Sequence, residues 1–356
     1  MKATRHTGVL GALMAFLLVG ALLGAPPAQA VAGQGYAYMW MNYAAAPLQT
    51  TFAPRQEYSA NSAGGPAANT FVRTGTGAYT VTMRYLGLVG GTVQVTAYGV
   101  DSTRCGVGGW APAGDDLKVY VYCFNPAGQP ANSAFDVSFT NPGYSAGALG
   151  YVWSYQTGYS VYAWTTLTGA YQFNSLGGAN AVLGGYTLRF PGLASQGGHV
   201  QVTAYGGSPN RCKVVNWYPS GGDAMVAVTC HDTAGVPAPT LFTATFTDRS
   251  GPFGTSRHRA YVFANQPTSA SYTPALAYQH NSAGYSNTVQ RLGVGDYVIR
   301  MPGMPLEHGI VHVTAYGSSP DYCKVYNWYP GDGVYVRCFN TAGSPIDTMF
   351  NAAFSE

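Results

Sequence analysis

Charge is what this chain has least of. Only 9% of its residues are Asp, Glu, Lys or Arg, so a folded surface must be solvated largely by Tyr, Thr, Ser, Asn and backbone groups. There are 17 Lys plus Arg and 14 Asp plus Glu, and removal of a 30-residue leader takes Lys2 and Arg5 with it, so that 15 face 14. That balance excludes a nucleic-acid binder, which needs an excess of cations to displace the counterions of the phosphate backbone. Long hydrophobic runs are missing too. After the leader no stretch approaches the roughly 18 consecutive apolar residues of a membrane-spanning helix, so no membrane span is expected. Outside the leader no segment carries a convincing 3.6-residue apolar period, which argues against amphipathic helices. Gly 47 and Pro 22 together stay below the level that marks disorder and suit many tight turns between strands.

What is present begins with an export signal. Lys2 and Arg5 precede an apolar run from Val9 to Leu23, and Ala28-Gln29-Ala30 supplies the small-residue cleavage site. The run is short for a bilayer span and is followed by Pro26 and Pro27. No cysteine flanks the cleavage site and no apolar tail precedes Glu356, so a released, extracellular protein without a lipid anchor is expected. All six cysteines lie beyond the leader, an even number that reads as disulfides formed in an oxidising compartment.

The heptad Val93-Gln94-Val95-Thr96-Ala97-Tyr98-Gly99 returns as Val200 to Gly206 and, with His312 in place of glutamine, as Val311 to Gly317, at spacings of 107 and 111 residues. Other positions return in step. Tyr38 and Trp40 match Tyr151 and Trp153, and Tyr261 and Phe263; Tyr58, Asn61 and Ser62 match Tyr171, Asn174 and Ser175, and Tyr278, Asn281 and Ser282. A tyrosine opens a strand at 79, 186 and 297, and each copy closes on a phenylalanine pair, Phe135 and Phe139, Phe242 and Phe246, Phe350 and Phe354. Repeats of this length can bury a core of their own. The cysteines fall one pair per copy, which favours Cys105 with Cys123, Cys212 with Cys230 and Cys323 with Cys338. Each bond closes a loop whose cross-link is worth roughly 3 kcal/mol in the chain-entropy model.

Period-two alternation dominates. In the heptad Val93, Val95 and Ala97 point one way and Gln94, Thr96 and Tyr98 the other, the pattern of a half-buried strand. Val119, Val121 and Cys123 alternate likewise and place the disulfide on the apolar face. The fold class is therefore all-β: three tandem β-sandwich-like domains, residues 31–140, 148–247 and 259–356, each of seven to nine short strands with one internal disulfide. Up-and-down barrels are the alternative. Short linkers at 141–148 and 248–259, the second with Gly251, Pro252 and Gly254, are expected to allow hinge motion and to be cut first by a protease.

No catalytic set repeats. Gly143-Tyr144-Ser145-Ala146-Gly147 fits the G-x-S-x-G nucleophile elbow, but it sits in a linker after Pro142 with no helix to follow. The histidines His199, His231, His258, His280, His308 and His312 occupy different positions in their copies, and the His308–His312 spacing would suit a metal only on a helix. Carboxylates are too scattered to suggest an acid and base pair. No enzyme activity, cofactor or metal is expected. The most informative constellation lies between the cysteines: Asn216-Trp217-Tyr218-Pro219 followed by Asp223, and Asn327-Trp328-Tyr329-Pro330 followed by Asp332, with Trp110, Pro112 and Asp116 alone kept in copy one. Flat rings beside polar arms match what a sugar needs. Trp110, Asn216, Trp217, Tyr218, Asp223, Asn327, Trp328, Tyr329 and Asp332 are thus candidate ligand contacts. In the competing reading the tryptophans cover the disulfides as core and the Asn and Asp hold the turn. Tyr98, Tyr205 and Tyr316 form a second candidate face, and the Asn-Ser pairs at 61, 174 and 281 read as turns closed by side-chain hydrogen bonds.

The V-x-V-T-A-Y-G strand with the C-K-V-x-N-W-Y-P loop resembles the tandem repeats of secreted proteins of GC-rich Gram-positive bacteria over essentially the whole chain beyond the leader, a resemblance that implies no activity. The expected role is a secreted, multivalent binding protein for cell-wall or environmental polysaccharide; the alternative is a structural or protein-interaction component of the cell surface, with a surface protein as partner. N-terminal sequencing of the exported protein should read Val31-Ala32-Gly33; a product that keeps Lys2 would contradict the leader.

Overall fold

The hairpin that carries each cysteine pair sets the plan of its copy. Arg104–Ala113 and Asp116–Phe124 pair antiparallel with Cys105 opposite Cys123, and the disulfide joins these directly facing residues. Arg211–Ser220 with Asp223–His231 and Tyr322–Tyr329 with Gly333–Phe339 repeat the arrangement around Cys212–Cys230 and Cys323–Cys338. All three bonds stay within their copies, and the second cysteine of each is buried in the core. The computed structural model describes residues 34–141, 147–156, 159–170, 184–253, 257–331 and 333–356. Tyr171, Asn174, Ser175, Asp332, the leader and all but Gly147 of the nucleophile-elbow match lie outside the described residues.

In copy one the hairpin belongs to an outer sheet ordered Thr51–Phe52, Asn69–Gly75, Ala78–Met83, Asp116–Phe124, Arg104–Ala113. An inner sheet ordered Ser59–Asn61, Gly35–Met41, Ala134–Asn141, Thr92–Tyr98 lies across it. Met39, Val93, Phe135 and Phe139 of the inner sheet meet Phe71, Val81, Val119 and Cys123 of the outer one in a single apolar core. This is a β-sandwich, with the alternating apolar residues turned inward as period two requires. Copies two and three build equivalent cores around Phe242 and Phe246 and around Phe350 and Phe354. The repeated strand-opening tyrosines belong to the core yet also make a polar contact. Tyr79 and Tyr186 are buried, and their hydroxyls accept the backbone N–H of Ser133 (3.2 Å) and Thr240 (2.9 Å). Asn61 accepts from the N–H of Ala63 and Gly64, and Asn281 from that of Ala283, closing the turns expected of them.

The sheets do not stop at the copy boundaries. Val107 of copy one pairs parallel with Tyr205 of copy two, Val214 of copy two with Tyr316 of copy three, and Val325 of copy three with Tyr98 of copy one. Matching backbone bonds seal each junction: Gly206 N–H to Val107 O (2.8 Å), Gly317 N–H to Val214 O (2.8 Å) and Gly99 N–H to Val325 O (3.0 Å). The outer hairpin of every copy thus extends the inner sheet of the next, and the third returns to the first. The copies form a closed ring with pseudo-threefold symmetry, and Ala32–Glu356 is one compact unit. The stretch between copies two and three is anchored at Pro252 and Phe253. Phe253 is buried there, stacked on Tyr36 (5.0 Å) and Tyr38 (5.2 Å) of copy one, and Pro252 O accepts a bond from the Thr140 hydroxyl.

Ring closure also overturns the half-buried reading of the heptad. Gln94, Thr96, Gln201, Thr203, His312 and Thr314 are all buried, because their polar faces meet one another on the ring axis rather than water. Thr203 Oγ1 accepts the Val95 N–H (3.1 Å) and donates to Gln94 Oε1 (2.7 Å). Thr314 Oγ1 does the same for Val202 N–H (3.0 Å) and Gln201 Oε1 (2.8 Å). Thr96 Oγ1 accepts the Val313 N–H (3.2 Å) and meets His312 Nδ1 (3.1 Å), which takes the place of the glutamine oxygen. His312 Nε2 lies 2.8 Å from Ser138 Oγ, so the neutral tautomer with the proton on Nε2 satisfies both ring nitrogens.

Burial holds His312 down to about 3. A histidine neutral in the fold but with an ordinary value of 6.5 when unfolded stabilises the protein above pH 6.5, and that contribution drains as pH falls toward the folded value. His312→Gln, which installs the residue of the other two copies, should therefore gain on the parent by about 1.4 kcal/mol per pH unit between pH 6 and pH 4. Urea unfolding of both proteins across that range measures it; parallel pH profiles would refute the assignment.

Candidate functional site

Each seam of the ring is filled by the tryptophan of the cysteine loop. Trp328 belongs to the core of its own copy and also packs against Trp40 (5.4 Å between ring centroids), Tyr58 (5.5 Å) and Tyr98 (5.6 Å) of copy one. Trp217 packs against Phe263 (4.9 Å) and Tyr316 (5.6 Å) of copy three, and Trp110 against Trp153 (5.1 Å) and Tyr205 (5.5 Å) of copy two. Edge-to-face contacts dominate, the arrangement ring quadrupoles favour. Trp217 is 7% exposed and Trp328 4%, while Trp110 is half-buried. The tryptophans are packed, as the competing reading holds, joining the cores of their own copies and the aromatic residues of the next. Tyr98, Tyr205 and Tyr316, the second candidate face, belong to these same seams.

A bulge at one position of each hairpin, between Val107 and Gly109, Val214 and Asn216, and Val325 and Asn327, presents the polar part of the loop beside the seam tyrosine. Tyr98 donates to Asn327 Oδ1 (3.4 Å) and Tyr316 to Asn216 Oδ1 (3.3 Å). Copy one has Gly109 at that position, which carries no polar arm. Asp223 stands elsewhere: it is buried, ion-paired to Arg189 and bonded to the Gly192 N–H (2.9 Å), so it ties strand ends together within copy two and takes no part in the seam. Asp116 in copy one accepts the Tyr85 N–H in a similar holding role.

The seam between copies three and one encloses a cavity of about 220 Å³, lined by Trp40, Arg55, Tyr58, Tyr98, Asn327, Trp328 and Tyr329. Tyr329 is 47% exposed at its rim and hydrogen-bonds Asn327 Nδ2. Two of the wall residues carry polar hydrogens with nothing to bond: the indole N–H groups of Trp40 and Trp328 have no partner among the described residues. In the other seams the tryptophan that matches Trp328 is bonded, Trp217 to Gly197 O (2.9 Å) and Trp110 to Gly90 O (3.1 Å). Burial raises the Tyr58 and Tyr98 hydroxyls, which keeps them neutral donors at ordinary pH. Of the candidate contacts, Asn327, Trp328 and Tyr329 come together here with three residues, Trp40, Tyr58 and Tyr98, whose repetition marked them without revealing that they share a site. Arg55 has no such signal, since copy three carries Ala275 in its place.

Ser138 and His312 stand at nucleophile-to-base distance, but both are buried on the ring axis and the second imidazole nitrogen meets Thr96 rather than a carboxylate. Among the described residues no group of three or more His, Cys, Asp or Glu is placed to share a metal ion. No protein-family model matches the chain, and no curated protein or solved structure is detectably similar to it. The seam geometry separates two kinds of residue. Trp328→Ala should cost about 3–5 kcal/mol by emptying a buried interface, whereas Tyr329→Ala should change stability by no more than about 0.5 kcal/mol. Denaturant unfolding checks both, and equal costs would contradict the division.

Proposed function

We propose that this protein is a secreted, non-catalytic binder of polysaccharide, acting through the seam between copies three and one. The observation that carries the reading is a cavity walled by the rings of Trp40, Tyr58, Tyr98 and Trp328, with Asn327, Arg55 and the exposed Tyr329 beside them. A sugar unit suits such a wall, since its C–H faces pack on aromatic rings and its hydroxyls bond to polar arms. Asn327, Arg55 and the Tyr329 hydroxyl supply further polar contacts around the mouth. The pocket is held by closure of the ring, so little ordering cost falls on binding.

Multivalency takes a different form from three equal sites on flexible linkers. The seam between copies two and three keeps Asn216, Trp217, Tyr218 and Tyr278, with Tyr218 exposed, but Phe263 replaces Trp40 and its tryptophan N–H is already bonded. The seam between copies one and two has Gly109 and Ala111 where the polar arm and rim tyrosine would be. A long chain would therefore meet one strong contact and one weaker contact at fixed spacing. A structural or protein-interaction role at the cell surface is the second reading, favoured by Tyr120 and Tyr122, which stand exposed on one face of the outer strand Asp116–Phe124.

The intact protein should be retained by at least one of insoluble peptidoglycan, chitin or cellulose, or by a glycan array. Tyr329→Ala should weaken retention about tenfold, equivalent to about 1.4 kcal/mol, with the unfolding midpoint unchanged. Absence of retention on every glycan would refute the reading, and capture of a protein partner indifferent to added sugar would favour the second.

A further inference from the structure

We propose that the ring axis carries a second site, for a compact tetrahedral oxyanion of the sulfate or phosphate type. Near the disulfides, the axis encloses a cavity of about 70 Å³ whose wall includes Arg104, Arg211, Lys213, Lys324, Tyr322 and Asp321. A single water needs only about 10–15 Å³ measured this way. The repeat itself delivers the charge: the residue before the first cysteine of each copy is Arg104, Arg211 or Tyr322, and the residue after it is Gly106, Lys213 or Lys324. All four cations are more than nine-tenths buried.

Among the described residues three of the four make no ion pair. Lys324 Nζ is answered by Asp101 (2.8 Å). Arg104 spends its hydrogens on the carbonyls of Asn125 and Pro209, which carry no full charge. Arg211 bonds Pro320 O through Nε and Asp232 O through Nη1, and its buried Nη2 has no partner among the described residues. Lys213 reaches only Ser319 Oγ, at 3.4 Å. Asp321, the one carboxylate in the wall, is engaged by Ser319 Oγ at 2.7 Å. Burial draws Arg211 down to about 10 and Lys213 down to about 8, further than the attraction of Asp321 restores them. A tetrahedral oxyanion would give the guanidinium fork and the ammonium a shared acceptor at charge-assisted strength. The turns Pro126-Ala127, Thr233-Ala234 and Thr341-Ala342, one from each copy, border an opening of about 340 Å³. The carbonyls of Asn125 and Asp232 that anchor the two arginines immediately precede two of those turns.

The probes are sulfate, inorganic phosphate and selenate, the last a sulfate analogue visible by anomalous scattering. Sulfate or phosphate should raise the unfolding midpoint of the full exported chain saturably, while chloride at equal ionic strength should not. Lys213→Met and Arg211→Met should weaken that response at least tenfold. Crystals grown with selenate should show an anomalous peak within hydrogen-bonding distance of Arg211 Nη2. A response that never saturates, or is identical in Lys213→Met, would overturn the proposal, as would an axis without selenate. Should Arg211→Met fail to fold, the selenate experiment on the unaltered chain decides alone.

Discussion

One threonine hydroxyl, used three times, is the interaction on which this architecture depends. At each junction it accepts a backbone N–H from the heptad strand of another copy, so the three bonds form a cycle rather than a row. On a strand buried on both faces a hydroxyl or amide left unmet costs about 1–3 kcal/mol. The cycle removes that cost only when all three copies are in place. Docking is therefore coupled to folding: a copy taken out of the ring would expose two polar strand faces and strip partners from its neighbours.

The same closure disposes of the sheet edges. In an isolated sandwich the heptad strand and the first strand of the disulfide hairpin would both end a sheet and offer unpaired backbone groups to any passing strand. Here each hairpin edge lies on the heptad edge of the next copy. A head-to-tail interface of this kind either closes or propagates, and three copies close it. The disulfide fixes the hairpin that makes the reach, and the tryptophan five residues beyond the first cysteine fills the space between sheets that meet in parallel over only a short length. Cross-link, seam and axis are consequences of one geometry.

Within each copy the sequence was a sound guide, because local rules act there. Alternation of Val119, Val121 and Cys123 showed which way the strand faced, the cysteine pairs formed where spacing put them, and Asn61 and Asn281 close the turns their chemistry suits. Between copies it misled for a physical reason. The alternation of Gln94, Thr96 and Tyr98 with valine is the same whether the polar side meets water or the polar sides of two other strands. A phenylalanine in a Gly- and Pro-bearing stretch, Phe253, gives no sign that it docks on Tyr36 and Tyr38. Trp328 and Trp40 lie at opposite ends of the chain, so their shared cavity exists only once the third copy has met the first.

What the copies keep and what they vary follows from this division. An aromatic trio fills every seam, Trp110 with Trp153 and Tyr205, Trp217 with Phe263 and Tyr316, Trp328 with Trp40 and Tyr98, since a void there would open the ring. The residues bordering the seams obey no such demand: asparagine appears at two and glycine at the third, and Arg55 at one alone. On the axis the threonine is kept three times, while the positions flanking the first cysteine run Arg, Arg, Tyr and Gly, Lys, Lys. Symmetry is strict where the ring needs it and broken where a surface or a cavity is left open. A threefold frame of this kind can give up identity at its rims and in its axial cavity without losing stability, which makes those the places open to ligand recognition.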